Sequence, residues 1–580
     1  MTLDPITLEV LWNRLLAVVN EQQVALMRTA FSTVVRETQD LACGVFDARG
    51  RMIAQSLTGT PGHINAMATG VRHFLAAYPP AMLQAGDVLL TNDPWQTAGQ
   101  VNDMTVVTPV FIGENIVAYF ASTCHAPDIG GRILSAEARE VYEEGLRIPI
   151  TKLFIAGEPN ELLLAIIRVN VRTPAETVGD LYAQTSSNAV GARALLQFMA
   201  EFKLTSVEVL SDAIIERSER AMREAIRALP NGVYTNESLS DGFDEPIRIK
   251  VTVTIADEDI AIDFAGSSPQ SRWGTNVVLN YTHAYASFAI KAAISPDVPH
   301  NEGAFRPVHV SAPEGSILNC RPPAAVAARH IVGHLLPGVI FGALAPALPG
   351  KLLAGSADSI WMSVWRGQLP AADEMFTFTL FQCGGAGARA TKDGLSATGF
   401  PSGVAGVPAE VVEALSPLIQ HRRELRCDSG GAGRQRGGLG QWSEISYRGV
   451  GAWSVSALVD RTRYPAQGLD GGQPGAAGEV ILSDGTRPQP KALTTLAPDM
   501  RVQLNPPGGG GYGHPHARSA EQVLLDVING YVSIVAAERA YGVLVRYLGA
   551  ADQLVRLPEH YAIDWDATER LRRTNDSSGT

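Results

Sequence analysis

The spacing of apolar residues changes period several times along the chain, and each change predicts an element. Asp4-Pro5 opens a helix, with the aspartate as N-cap and the proline in the first turn. Leu8, Leu11, Leu15, Val19 and Leu26 then recur at helical spacing and carry it to about Val35. LACGVF, the turn DARG (47–50) and RMIAQS read as a β-hairpin, with Asp40 just before its first strand. PGH (61–63) reads as a turn leading into a helix that ends near Ala77. MTVVTPVFI (104–112) and IVAYFAS (116–122) are apolar, β-branched and aromatic, and Gly113-Glu114-Asn115 joins them as a second hairpin.

Residues 135–149 start helically and stop at Gly145, and 160–174, 175–202 and 211–230 continue as helices. The pattern changes at Pro230-Asn231-Gly232. Residues 247–268 alternate apolar and polar around an acidic turn at 257–259, which predicts a strand hairpin. Helices are expected at 282–294 and 330–348, and strands at 441–458, 478–483 and the start of 502–513. CGGAGARATKDG and DSGGAGRQRGGLG, between residues 383 and 440, are too rich in glycine for element interiors and read as loops. AEQVLLDVINGYV and SIVAAERAYG close the chain as helices, the second with Ser533 as cap and Gly542 as stop, and TNDSSGT reads as a frayed end. The expected fold is α+β and multi-domain, with mixed or antiparallel sheets, helical segments and glycine-rich loops. Its expected units are an N-terminal α+β domain at 1–230, a β-rich region with the glycine loops at 231–515, and a helical segment with its tail at 516–580.

Composition narrows the class. With 46% hydrophobic and 18% charged residues over 580 positions the chain is globular. A net charge of −12 and the lack of any Lys/Arg run argue against a nucleic-acid or lipid-headgroup surface. Cys43, Cys124, Cys320, Cys383 and Cys427 form no C-x-x-C pair, so free thiols in a reducing compartment are expected. MTLDPITLEV has no basic or apolar leader pattern, and the longest apolar stretch (339–350) is short and broken by proline. A cytoplasmic protein with no membrane or nucleic-acid partner is the expectation.

The chemistry gathers at the open end of the 104–122 hairpin. A turn centred near Glu114 makes opposed residue numbers sum to about 228. Asp103 then faces His125, and Gln100 lies near Asp128. Opposed Cβ atoms sit roughly 5 Å apart, close enough for a carboxylate and an imidazole to share a metal ion or a proton. Asp103 and His125, joined by Asp40 and Gln100, make an oxygen-and-nitrogen set suited to Mn²⁺, Fe²⁺ or Zn²⁺. A structural His–Asp hydrogen bond at a strand end fits the same spacing. Residues 100 and 103 point to opposite faces of a regular strand, so Gln100 joins only if the chain bends around Gly99. His63, in PGHIN, reads either as a general base near a cleft or as a loop-packing histidine.

Other motifs are weaker. PPGGGGYG (506–513) mimics G-x-G-x-x-G but opens no helix, and it reads as a tight turn or as backbone beside a substrate. No G-x-x-x-x-G-K-[ST] phosphate loop and no G-x-S-x-G nucleophile elbow occurs. Arg389, Arg434 and Arg436 lie in the glycine loops, which read as structural, with anion binding through N–H nests as the alternative. Cys124 and His125 are adjacent in a strand and point to opposite faces, so they form no dyad.

Nine segments taken together resemble the hydantoinase B/oxoprolinase family. They are DPITLEVLWNRL, TNDPWQTAGQVNDMTVVTPVF, HAPDIGG, EEGLRIPITKLF, NVRTPAETVGDLYAQ, DFAGSSPQ, RPPAAVAA, RCDSGGAGRQRGG and NPPGGGGYG, in family order from residue 4 to about 545. The resemblance implies the B-type component of an ATP-dependent hydrolase of cyclic amides. A partner A-type subunit would bind ATP and phosphorylate the substrate, and the B-type chain would complete ring opening. It implies a divalent metal on Asp40, Asp103 and His125, with Gln100 where the family usually places a histidine. It implies His63 as an active-site residue and Asp128 as a carboxylate that orients His125. An acetone carboxylase-type subunit and a non-catalytic scaffold that has lost its metal are the competing expectations.

Overall fold

The computed structural model describes residues 4–370, 374–550, 552–553 and 555–577. Asp4 caps the helix Pro5–Thr29 by accepting from the N–H groups of Ile6 and Thr7. The helix stops six residues short of the expected Val35. The N–H groups of Phe31 and Ser32 donate instead to the Asp180 carboxylate, at 2.7 and 3.2 Å, and a short helix Thr33–Arg36 follows.

The centre of the N-terminal half is a seven-stranded antiparallel sheet. Its strands are β1 (Leu41–Asp47), β2 (Met52–Gln55), β3 (Val88–Thr91), β4 (Asp103–Ile112), β5 (Asn115–His125), β6 (Thr151–Ile155) and β7 (Glu158–Pro159), in the order β2-β1-β5-β4-β3-β6-β7. The β4–β5 register is the one the turn predicts: Asp103 pairs with His125 and Val110 with Ala118, and the ladder slips by one only beyond Val110.

The two faces of this sheet bury different helices. Cys43, Val45, Phe120 and Cys124 pack under Leu15 and Val19 of the first helix and Leu195 of the helix Pro174–Glu201. Ala42, Phe46, Val107, Tyr119 and Ala121 pack under Ile64, Met67, Val71 and Phe74 of the helix Pro61–Ala77. Pro61 occupies the first helical position, so PGH is the first turn of that helix and not a separate turn. A helix Leu279–Ile294 packs against it.

The expected helix at 135–149 does not form; Val141–Glu143 makes a single 3₁₀ turn. Its backbone bonds sideways, with Arg132 N–H on Glu143 O (2.8 Å), Leu146 N–H on Ile129 O (3.0 Å) and Val141 N–H on Pro323 O (2.9 Å). The expected 330–348 helix is two pieces, Arg329–Gly333 and Leu336–Leu344. The TNDSSGT tail begins inside a helix, Trp565–Ser577, and its last three residues lie outside the described set.

Beyond residue 230 a four-stranded sheet (Gly232–Ser240, Ile247–Ala256, Asp259–Asp263, Val308–Ser311) joins the same core. Ile249, Val253, Tyr281 and Val326 share one apolar cluster with Met104 and Leu181, so the core runs across the change in composition at 230. Two further four-stranded sheets build a sandwich. Trp365, Tyr447 and Trp453 stack at its centre, with ring centroids 5.4 and 5.3 Å apart. Val523, Val527, Ala537 and Tyr541 form a separate C-terminal cluster.

The glycine-rich loops are extended chains laid side by side. Gly385 N–H donates to Pro507 O, Gly438 N–H to Ala386 O, Gly509 N–H to Gly438 O and Gly431 N–H to Gly509 O, all at 2.8–3.0 Å. These N–H groups are spent on neighbouring carbonyls, which leaves no anion nest in this part of the stack. PPGGGGYG is one of these chains and makes no tight turn. A Cβ at Gly509 would lie 2.1 Å from the Ala386 carbonyl oxygen. Gly113, with φ 62°, has open space where a Cβ would go. Gly509→Ala is therefore expected to lose about 3 kcal/mol, the upper range for forced overpacking. Gly113→Ala is expected to lose only about 1 kcal/mol for its left-handed backbone. Chemical denaturation of both variants checks this, and equal losses would refute the close packing.

Candidate functional site

Asp103 opens β4 and His125 closes β5, and their parity turns both toward the helix Pro61–Ala77. On the same face Thr105 and Thr123 pair through their hydroxyls at 2.9 Å. Gln100 reaches this face because residues 97–102 are a turn and not a strand, with Gly99 at φ 90°. The bend removes the parity objection.

Three polar atoms meet in a small triangle. The Gln100 amide nitrogen is 2.8 Å from Asp103 Oδ1 and 2.8 Å from His125 Nδ1, and Oδ1 and Nδ1 are 3.1 Å apart. No placement of protons satisfies all three edges while Asp103 is ionised. If the amide N–H groups point to both partners, the Oδ1–Nδ1 edge has no proton. If Nδ1 carries the proton, it faces the amide N–H. If the amide is turned over, two oxygens face each other. Gln100 Oε1 is buried and has no hydrogen-bond partner among the described residues.

Asp103 Oδ2 binds the other half of the site. The Arg329 guanidinium contacts it, and His63 Nε2 lies 3.2 Å away. Arg329 is fixed by its Nε donating to Ala98 O at 2.6 Å and by stacking 4.1 Å over the Tyr281 ring. His63 reaches inward from the first turn of its helix because Gly62 lets the helix press against Tyr281; a Cβ there would sit 2.3 Å from that ring. Asp40 accepts from Thr60 Oγ1 at 2.9 Å and is 3.5 Å from His63 Nδ1. His330 and His334 line the same cavity, of about 20 Å³, with Asp40, His63, Gln100 and Arg329.

Burial opposes every charge here, and the outcome depends on neighbours. It would raise the Asp103 carboxyl, but Arg329 and His63 hold that group well below the usual range. It would lower His63, but Asp103 and Asp40 hold the imidazole above its ordinary value. His330 has no such carboxylate contact; burial, with Arg329 beside it, pushes it down to about 3. Among the described residues no three His, Cys, Asp or Glu side chains are grouped to hold a metal. Asp103 and His125 supply two converging donors, and any third must come from outside those residue types.

Asp128 is not brought to His125. Beyond β5 the chain leaves the sheet, and the Asp128 carboxylate accepts from Arg172 Nη1 at 2.6 Å and from Gly130 N–H at 3.2 Å. It secures the 128–131 turn to the start of the helix Pro174–Glu201 and has no bond to the His125 ring among the described residues.

The residues that sequence reasoning missed are Arg329, Tyr281, His330, His334 and Glu144. HIVGH offered an i, i+4 histidine pair on a helical stretch. Glu144 carried no signal beyond its place in EEGLRIPITKLF. It positions Arg329 indirectly: its Oε1 accepts from the N–H groups of Val326 and Ala327, at 2.6 and 2.7 Å. A cavity of about 680 Å³, lined by Phe288, Leu353, Phe400, Arg389 and Arg423, meets the smaller one at Ser402 and Val404.

Burial pushes the Glu144 carboxyl up to about 8. The folded chain then keeps this proton between pH 4.5 and 8 while the unfolded chain has lost it, so stability falls as pH rises through that window. Glu144→Gln mimics the neutral acid and removes that slope. Denaturation of both proteins at pH 5 and pH 8 is expected to favour the variant increasingly at the higher pH. A difference that stays constant with pH would show an ionised Glu144.

Comparison with known proteins adds a second line of evidence. The model of the family described as Hydantoinase B/oxoprolinase matches residues 4–515. The B component of a putative D-/L-hydantoinase from Pseudomonas sp. (strain NS671) is 30% identical over 600 aligned positions, covering 98% of both chains. The crystal structure of the ATP-dependent caprolactamase from Pseudomonas jessenii superposes with a TM-score of 0.88 at 26% identity, over 99% of this chain and 100% of the other. A nucleotide-free acetone carboxylase structure also reaches 0.88, at 19% identity, over 100% of this chain and 84% of that one, and shows the shared fold.

Proposed function

Since the chain belongs to the hydantoinase B/oxoprolinase family, we propose that it is the B-type component of an ATP-dependent hydrolase of cyclic amides. In this reading an A-type partner phosphorylates the amide oxygen and this chain completes ring opening. An amide is a poor electrophile, and phosphorylation turns its oxygen into a leaving group. The observation that carries the proposal is the buried Asp103 cluster, which joins a carboxylate, two imidazoles and a guanidinium beside a 680 Å³ cavity.

His63 takes the role of proton acceptor for an attacking water, with Asp103 and Asp40 stabilising the imidazolium that results. Arg329 fixes the Asp103 carboxylate and so the orientation of His63. Asp103 and His125 would hold a divalent cation, with the Gln100 amide oxygen as the third donor; the Asp40 carboxylate stays with Thr60 and His63. Such an ion supplies positive charge that polarises a water or a carbonyl. Asp128 acts through Arg172, at a distance from the reacting groups.

The acetone carboxylase fold likeness keeps one other reading testable, bicarbonate-dependent carboxylation. Co-expression with the A-type subunit separates the two. The expected result is phosphate release that depends on a cyclic amide and not on bicarbonate. The isolated chain is expected to release none, and ATP hydrolysis by it alone would overturn the proposal. In the assembled pair His63→Ala is expected to lower turnover by roughly 10²–10⁴ with assembly unchanged.

A further inference from the structure

We propose that Gln100 tunes this site toward hard, oxygen-preferring cations by presenting its amide oxygen to the ion, so that zinc loses much of its usual advantage over manganese. The inference rests on reading the Asp103 cluster as a cation site, and it concerns which ion that site prefers.

Two features of the Gln100 amide bear on this. The triangle of Gln100, Asp103 and His125 lacks a proton on one edge in every orientation of the amide. Three ligand atoms around a cation need no proton at all. The edges of 2.8, 2.8 and 3.1 Å are also the spacing that neighbouring ligands adopt around an octahedral cation with bonds of about 2.1 Å. The second feature is the Gln100 Oε1, which is buried without a partner beside this triangle. Turning the amide over exchanges the two ends, so that Oε1 enters the triangle and the NH₂ group leaves it.

The donor set is then two oxygens and one imidazole nitrogen. Carboxylate and carbonyl oxygens suit Mn²⁺, whereas imidazole and thiolate favour Zn²⁺. Cys124 offers no thiolate here, because it lies on the opposite face of β5 in the apolar cluster under the first helix. Arg329 holds Asp103 Oδ2 and leaves Oδ1 as the one free carboxylate oxygen. A fixed positive charge this close to the ion lowers affinity for every divalent cation alike, which makes the site exchangeable without changing its order of preference.

Zinc binds more tightly than manganese at most sites, so the quantity to read is the ratio of the two dissociation constants. The full chain is stripped with chelator and its binding of Mn²⁺ and Zn²⁺ is measured separately by equilibrium dialysis with elemental analysis. Wild type is compared with Gln100→His and Gln100→Leu, and circular dichroism confirms that each variant is folded. The expected result is that Gln100→His raises Kd(Mn)/Kd(Zn) roughly tenfold or more, the scale on which changes around a metal move its affinity. Gln100→Leu is expected to weaken both ions. An unchanged or lowered ratio in Gln100→His, or no binding of either ion to wild type at about 1 mM, the weak end of cation affinities in proteins, would overturn the proposal. Neither outcome bears on ring opening, because the measurement uses no partner, ATP or amide.

Discussion

The structure depends on one buried anion. Asp103 is fully enclosed, and an isolated carboxylate in that position would be very costly unless paired. Each surrounding element supplies part of the compensation. The hairpin brings His125, the turn at Gly99 brings Gln100, the helix Pro61–Ala77 brings His63, and the segment after RPPAAVAA brings Arg329. These elements are far apart in sequence; Arg329 comes from 226 positions away. Elements far apart in the chain therefore converge on this one charge.

Arg329 makes the two halves of the chain one unit. Its guanidinium ties the β4 end to the helical pieces at 329–344 and stacks on Tyr281 of the neighbouring helix. Glu144 fixes the backbone just before it, which places that guanidinium at the carboxylate. On the other side Ala405 N–H donates to Thr38 O at 2.8 Å, and Ser402 and Val404 close the small cavity. The site is thus walled by both the central sheet and a loop from the sandwich region.

Much of this was legible from local rules. A turn centred near Glu114 gives the sum of 228 that pairs Asp103 with His125; in the structure the two-residue turn Gly113-Glu114 pairs Ile112 with Asn115, and the shift at Val110/Phe111 restores that sum along the rest of the ladder. Asp40 stood out just before a strand, while His63, in a glycine-containing turn, took its active-site role from the family resemblance. Arg329 did not, because the motif that pointed to the region ended at Ala328 and nothing local links an arginine to a carboxylate 226 residues away. The failed helix at 135–149 has the same origin: its N–H groups bond to Ile129 and Pro323, its Glu143 carbonyl accepts from Arg132, and helical periodicity carries no trace of such partners. The resemblance put Asp128 beside His125, but the sheet ends at His125 and the Asp128 carboxylate turns to Arg172.

The glycine stack shows what kind of information a family resemblance carries. In RCDSGGAGRQRGG and NPPGGGGYG a methyl group on Gly430, Gly437, Gly508 or Gly509 would strike a neighbouring carbonyl at about 2 Å. Those two segments are therefore records of spacing between backbones and carry no reactive side chain of the Asp103 cluster. A scaffold written in this way is inherited as a whole, since a single substitution in one chain has to be answered in the chains beside it. The few side chains above the sheet end are under no such constraint. One architecture can therefore be kept intact while its chemistry is rewritten a residue at a time.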